Sequence, residues 1–260
     1  MINILVVGDV VSKVGREYFK SCVRKIKGEY SIDLVVVNGE NSSKYNGLSP
    51  NSAEDLFSYG ADVITSGNHI FRNKMTYPLL DDNPYIIRPA NYESFEYGKG
   101  YTVIDKLSYK ILVINLAGTV YMNEEAGNPF KTADKIIREN SDCKVVIVDF
   151  HAEATSEKIA LGKYLDGRVS AVLGTHTHVQ TADEQILPSG TAYITDLGMT
   201  GPRDSILGVK NSIIIERFAN GDTSRFEMAD GKGVFGGALL SIDEKTGKCL
   251  KITRIRCFED

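Results

Sequence analysis

Short β-branched apolar runs alternate with amphipathic stretches along much of this chain, and five of the runs end in residues able to bind a metal ion. Ile2–Val7 leads into Gly8-Asp9, Leu34–Val37 into Asn38-Gly39-Glu40-Asn41, and Asp62–Thr65 into Ser66-Gly67-Asn68-His69. Val145–Asp149 is followed by Phe150-His151, and Ser170–Leu173 by Gly174-Thr175-His176-Thr177-His178. Strands alternating with helices imply an α/β fold built on a largely parallel sheet with right-handed crossovers. The carboxyl ends of parallel strands lie on one side, so residues far apart in sequence converge there.

The intervening signals fill in the order of elements. Gly15–Lys27 places Phe19, Val23 and Ile26 at helical spacing, and Ser49-Pro50 reads as the cap and first position of a helix through Tyr59. Ala133–Glu139 reads as a helix, Ser156 as the cap of a helix through Leu165, and Tyr101–Asp105 with Lys110–Asn115 as hairpin arms. From Gln185 onward the pattern predicts strands at Ile186–Leu187, Ala192–Thr195, Ile213–Phe218, Leu239–Ile242 and Leu250–Arg256. There is no repeat, low-complexity segment or clear linker, so one domain over residues 1–260 is expected.

Composition narrows the function classes. With 42% hydrophobic and 25% charged residues the chain is of the globular type. A net charge of −4 argues against a protein whose main role is to coat nucleic acid, although bound cations can still make room for a nucleotide. The N-terminus lacks a basic region and a long apolar run, and no stretch approaches the roughly 18–20 apolar residues that span a bilayer. Cys22, Cys143, Cys249 and Cys257 are scattered without a C-x-x-C pair, which suits free thiols and a cytoplasmic location.

Each chemical motif has an ordinary explanation when taken alone. Asp9 suits a turn or helix cap, Gly39-Glu40-Asn41 a loop, and Gly67-Asn68-His69 common turn chemistry. His151 alone suits a partly buried, hydrogen-bonded histidine. His176-Thr177-His178 is stronger, because an H-x-H pair after an apolar strand aims two imidazoles from a rigid element. All four histidines of the chain fall directly after expected strands, and this joint placement points to metal binding. Carboxylate, amide oxygen and imidazole together suit iron, manganese or zinc without a thiolate, and an oxygen-rich set with recurring Asn suits two metals.

These motifs resemble those of the calcineurin-like metallophosphoesterase superfamily and, more narrowly, the YmdB-type cyclic-nucleotide phosphodiesterases. The closer similarity lies in Gly8-Asp9-Val10-Val11, Arg88-Pro89-Ala90-Asn91, the run from Asp149 to Lys158, Gly174–Asp183 and Tyr193–Pro202, and it covers nearly the whole chain. The superfamily's first motif is usually Asp-x-His, where this chain has Asp9-Val10-Val11, and its bridging aspartate is replaced by Glu40. Both departures resemble the YmdB-type subgroup. That subgroup often carries a Trp two positions after Gly-Asn-His, where this chain has Phe71. The resemblance implies an α/β/β/α sandwich with its metal site at the carboxyl ends of the central strands. It implies one metal held by Asp9, Glu40, Asn41 and His178 and a second by Glu40, Asn68, His151 and His176. His69, beside Asn68, is the candidate catalytic acid for the leaving alkoxide, the alternatives being a residue that orients the ligands or a further ligand.

The expected activity is hydrolysis of 2′,3′- or 3′,5′-cyclic nucleotides by a metal-activated hydroxide at two divalent or mixed-valence ions. Iron or manganese stands ahead of zinc or magnesium as the metal. Asp149 and Glu153 are candidate partners for imidazole N–H groups, and the glycine-rich segment from Thr195 to Arg203 is either a pocket wall or a structural turn. Other readings use the same residues: a phosphomonoesterase, a nuclease, or a regulatory nucleotide- or protein-binding protein with weak turnover. An amidohydrolase is disfavoured because its H-x-H normally sits at the first strand. The partners expected are a small phosphodiester and further copies of the chain, with no membrane and no charge-based indication of nucleic acid.

Overall fold

The computed structural model describes residues 1–44, 46–122 and 125–260. The chain opens with β1 (Ile2–Val7), the short β2 (Asp9–Val10), α1 (Ser12–Tyr30), β3 (Leu34–Asn38), α2 (Pro50–Tyr59), β4 (Val63–Thr65) and α3 (Tyr77–Asp82). A second series follows: β5 (Tyr101–Asp105), β6 (Lys110–Ala117), α4 (Pro129–Glu139), β7 (Val145–His151), α5 (Thr155–Tyr164) and β8 (Ala171–Thr175). The remainder is β9 (Gln185–Ile186), β10 (Ala192–Ile194), β11 (Met199–Pro202), α6 (Asn211–Asn220), β12 (Gly233–Ile242) and β13 (Cys249–Phe258).

These strands form two mixed sheets. One runs β2-β11-β12-β1-β3-β4 with β13 also on β12, and the other runs β5-β6-β7-β8-β10-β9. In the first, β1, β3 and β4 are parallel; in the second, β6, β7, β8 and β10 are parallel. The alternation of side chains along each strand explains the layering. Ile4 and Val6 of β1 meet Val113, Ile147 and Leu173 between the sheets, while Leu5 and Val7 join Phe19, Val23 and Leu56 of the covering helices. Leu112 and Val146 likewise pack outward with Ile136 and Leu161. The result is the α/β/β/α sandwich, and strands buried on both faces account for the unbroken apolar runs.

Local signals were legible to different degrees. Ser49 caps α2 as expected, its hydroxyl accepting from the Ser52 amide in a reciprocal capping box. Ser156 does not cap α5; the N-cap is Ala154, without a side-chain cap. The expected strand over Ile213–Phe218 is the helix α6 instead. Its β-branched run favours a strand locally, yet the segment pairs with neither sheet. Gly221, at φ 72°, ends the helix in the left-handed region and donates its N–H back to Arg217. Among the described residues no helix is long and apolar enough to cross a membrane.

Candidate metal centre

The parallel strands of both sheets deliver the singled-out residues to one place. Asp9 opens β2 just beyond β1, Glu40 and Asn41 follow β3, and Asn68 and His69 start a 3₁₀ turn (Asn68–Arg72) after β4. From the second sheet, His151 is the last residue of β7, and His176 and His178 follow β8. Asp9, Glu40 and His151 are fully buried, and Asn41 and Asn68 nearly so. The ion-pair partners of Asp9 and Glu40 among the described residues are all histidines.

Two neighbourhoods emerge from the side-chain distances. Asn41 Nδ2 lies 3.4 Å from Asp9 Oδ1 and 3.0 Å from His178 Nε2, which is 3.6 Å from Asp9 Oδ1. In the other, His151 Nε2 lies 3.1 Å from His176 Nδ1 and 3.8 Å from Glu40 Oε1. Glu40 is held by the 3₁₀ turn: its Oε2 accepts from the Gly67 amide at 2.5 Å, and its Oε1 from the His69 amide. His69 Nδ1 donates to Asn41 Oδ1 at 3.0 Å, so the ring hangs beside the first neighbourhood.

The outward nitrogen of each of the other three imidazoles is tied down. His151 Nδ1 donates to Thr175 Oγ1 at 3.0 Å, and that hydroxyl donates to Asp149 Oδ1 at 2.7 Å. His178 Nδ1 donates to the Leu207 carbonyl at 3.1 Å, and His176 Nε2 pairs with Glu153 Oε2 at 3.2 Å. Of the remaining nitrogens, Nε2 of His151 faces Glu40, Nε2 of His178 faces Asp9, and Nδ1 of His176 faces His151 Nε2. Such outer partners set the tautomer and ring orientation of a ligand histidine. Asp149 and Glu153 thus reach the imidazoles, Asp149 through Thr175.

Backbone conformation is spent on the same aim. His176 at φ 103° and His178 at φ 64° both occupy the left-handed region, which β-carbon-bearing residues seldom enter. Asp9 Oδ2 accepts from the His176 amide at 3.0 Å, and Asp196 Oδ2 accepts from both the amide (3.1 Å) and hydroxyl (2.8 Å) of Thr177. Gly67 lets the loop after β4 approach His151 closely: a Cβ there would lie 2.2 Å from His151 Cδ2.

Electrostatics follow from burial and neighbours. Burial lifts Glu40 well above the usual carboxylate range, and the Asp9 charge adds to this. Burial also works to raise Asp9, but the hydrogen bond and charge of His178, aided by His151, overcome it and hold Asp9 well below. Burial opposes protonation of His178, yet Asp9 outweighs it and raises the imidazole. Burial lowers His151 and His176, and with Arg72 it brings His69 down to about 4. His69 is therefore neutral near pH 7 in the metal-free protein, below the range expected for an ordinary imidazole.

Several members of the site had no sequence signal strong enough to single them out. Asn38 bridges the layers, accepting from the Glu40 amide (2.9 Å) and donating to Asp149 Oδ2 (2.9 Å). Thr65 and Thr175 complete this buried network. Asn38 and Thr175 do end apolar runs beside expected ligands, and a polar residue so placed was the available clue. Phe71, at the subgroup's Trp position, packs against Phe95 (4.0 Å between centroids) and Tyr92 (4.9 Å).

A two-sheet sandwich with this constellation at its strand ends has the metallophosphoesterase fold, shared with 5′-nucleotidase-like enzymes. The chain belongs to the YmdB-like protein family, whose model matches residues 5–255. It is 46% identical over 259 residues to a Bacillus subtilis (strain 168) protein named 2′,3′-cyclic-nucleotide 2′-phosphodiesterase, covering 99% of this chain and 98% of that one. A crystal structure from Mycoplasma pneumoniae described as a novel phosphatase matches with a TM-score of 0.94 at 38% identity, over 100% of this chain and 94% of that one. The NAD nucleotidase NadN of Haemophilus influenzae shares the fold at a TM-score of 0.62 and 14% identity, over 99% of this chain and 56% of that one.

The fold class implies divalent metal ions, and the residues present fit them. Two imidazole nitrogens, of His151 and His178, face the buried carboxylates of Glu40 and Asp9, a third, of His176, lies against His151, and each ring is fixed from behind. Among the described residues no three His, Cys, Asp or Glu side chains are placed to hold a metal by themselves.

Proposed function

We propose that this chain hydrolyses 2′,3′-cyclic nucleotides with two divalent ions, opening the P–O2′ bond and leaving a 3′-phosphate. The observation that carries the reading is the buried cluster in which His178 Nε2 faces Asp9, His151 Nε2 faces Glu40 and His176 Nδ1 adjoins His151 Nε2. The name of the Bacillus subtilis relative supports the substrate class. Asp9, Asn41 and His178 would hold one ion, Asn68, His151 and His176 the other, and Glu40 would bridge them. Bound there, the two ions supply the charge that clamps phosphoryl oxygens and the acidity that makes water nucleophilic near neutral pH. Iron or manganese suits this oxygen- and imidazole-rich set.

The chain's own residues orient and protonate. The amides of Gly67 and His69 fix the Glu40 carboxylate, so both neighbourhoods keep a constant separation. His69 would return a proton to the departing O2′ as the P–O2′ bond breaks and the P–O bond to water forms. Burial lowers its proton affinity, and an anionic phosphodiester beside it would raise that affinity again. The same groups can act on 3′,5′-cyclic monophosphates, which carry the same single negative charge. The free thiols Cys22, Cys143, Cys249 and Cys257 support a reducing compartment, the cytoplasm, as the place of action.

The test is turnover of adenosine 2′,3′-cyclic phosphate, adenosine 3′,5′-cyclic phosphate and p-nitrophenyl phosphate by protein loaded with manganese or iron. Metal content is measured beforehand. About two bound ions, 3′-AMP as product and loss of turnover in Glu40→Gln support the reading. Fewer than one ion bound, with no rescue by either metal, overturns it. Faster cleavage of the aryl monoester than of either cyclic diester would make it a phosphomonoesterase.

A further inference from the structure

His178 lines a second cleft that leads away from the metal centre. The same cleft is lined by Val179, Leu207, Arg203, Arg256 and Phe258. Leu207 links the two places physically, because its carbonyl fixes His178 Nδ1 while its side chain stands about half exposed beside the cleft. Val179 is more exposed still, and Phe258 is open at the far end.

Arg203 and Arg256 both lie over the Phe258 ring, their guanidinium carbons 4.6 and 5.2 Å from its centroid. Among the described residues neither guanidinium enters an ion pair or a side-chain hydrogen bond. Stacking on a ring leaves the in-plane N–H groups of an arginine directed outward, where they match the oxygens of a phosphate. A chain with net charge −4 therefore places two uncommitted cations and an aromatic face along one path from its reacting centre. Apolar contacts nearest His178 suit a base or ribose, and the arginines beyond suit a phosphodiester.

We infer that this cleft is a subsite for the nucleotide upstream of the reacting one, so that the preferred substrate is an oligoribonucleotide ending in a 2′,3′-cyclic phosphate. The inference rests on the cyclic-phosphodiesterase reading above. The terminal nucleoside occupies the metal centre, and its 5′-oxygen leads to an internal phosphodiester that meets Arg203 and Arg256. A mononucleotide has no such phosphodiester and gains nothing from them.

The experiment compares kcat/KM for adenylyl-adenosine 2′,3′-cyclic phosphate with that for adenosine 2′,3′-cyclic phosphate, in the wild type and in Arg203→Ala/Arg256→Ala. An advantage of about tenfold or more for the dinucleotide is expected in the wild type, falling as salt rises and lost in the double variant. Equal values in the wild type, or an advantage that survives the double substitution, overturn the inference. Calorimetric binding of 3′-phosphorylated adenylyl-adenosine and of 3′-AMP to the same two proteins decides the matter independently of turnover. If neither cyclic substrate is cleaved, the phosphodiesterase reading fails; tighter binding of the dinucleotide that vanishes in the variant still supports the subsite, and equal binding overturns it.

Discussion

Lys158 Nζ donates to Asp196 Oδ2 at 2.8 Å, and both side chains are fully buried behind the His176-Thr177-His178 turn. The same carboxylate oxygen accepts from the amide and hydroxyl of Thr177, and Oδ1 accepts from the Gly198 amide at 2.8 Å. The ion pair therefore stands beneath two histidines held at positive φ, and its removal frees the turn to relax. A buried pair that loses one partner leaves an uncompensated charge, at a cost of about 3–5 kcal/mol. Lys158→Met is expected to lose about that much in urea unfolding and to weaken metal binding. Adding Asp196→Asn should recover part of the stability without recovering metal affinity, because the Thr177 contacts to the carboxylate stay impaired. Full recovery of both would show that the pair has no role in holding the turn.

Glu40 and His178 hold protons more tightly in the metal-free protein than their ordinary groups do. An ion that takes their lone pairs must displace those protons. Manganese titration by calorimetry in buffers of differing ionisation enthalpy is expected to show net proton release, with affinity falling as pH is lowered. The same binding should raise the melting temperature, and a chelator should abolish both the increase and the turnover. Proton-neutral binding would show that neither group is a ligand.

Gly67 faces His151 so closely that a methyl group there must displace the imidazole. Because His151 is fully buried and held from behind by Thr175, the ring has little room to yield. Overpacking of this kind costs about 1–3 kcal/mol, whereas a displacement near 1 Å in a reacting group can cost about 10²-fold in rate. Gly67→Ala is expected to lose far more in kcat than in melting temperature. A proportionate loss of both would place its effect in the fold alone.

Much of this centre was legible because parallel strands carry their last residues to a common side. Asp9, Glu40, Asn68, His151 and His176 each end or follow an apolar run that did form a strand, but those strands divide between two mixed sheets, a division that alternation alone did not show. The Lys158–Asp196 pair was not legible, since its members lie on a helix and a loop 38 positions apart and neither interrupts an apolar pattern. Thr175 was hidden by its neighbours: in Gly174-Thr175-His176 the histidine draws attention, while the hydroxyl carries the link from His151 to Asp149. Ile213–Phe218 misled for the opposite reason. Its residues prefer strands individually, but no sheet edge receives them, and only Ile214 is buried on the resulting helix. The cleft at Phe258 needed the fold itself, because β13 brings Arg256 beside Arg203 only through its pairing with β12.

His69 gives the site a measurable acid sensitivity. In the unfolded chain its imidazole protonates around its ordinary value of 6.5, and in the metal-free folded protein only near 4, chiefly through burial. Between those values the unfolded state binds more protons, so stability is whole above pH 6.5 and is lost as pH falls toward 4. The loss attributable to this ring reaches about 2–3 kcal/mol by pH 4.5. Glu40 and Asp149 act in the opposite sense, because burial raises both, Asp149 to about 6. Total stability therefore does not isolate His69, but the difference between wild type and His69→Gln does. Urea unfolding in the presence of a chelator at pH 7.5 and pH 4.5 should show the wild type losing about 2–3 kcal/mol more than the variant over that interval. Parallel losses in the two proteins would mean that the ring titrates normally in the folded state. It would then be free to act as an acid at neutral pH without an anionic substrate to raise its proton affinity.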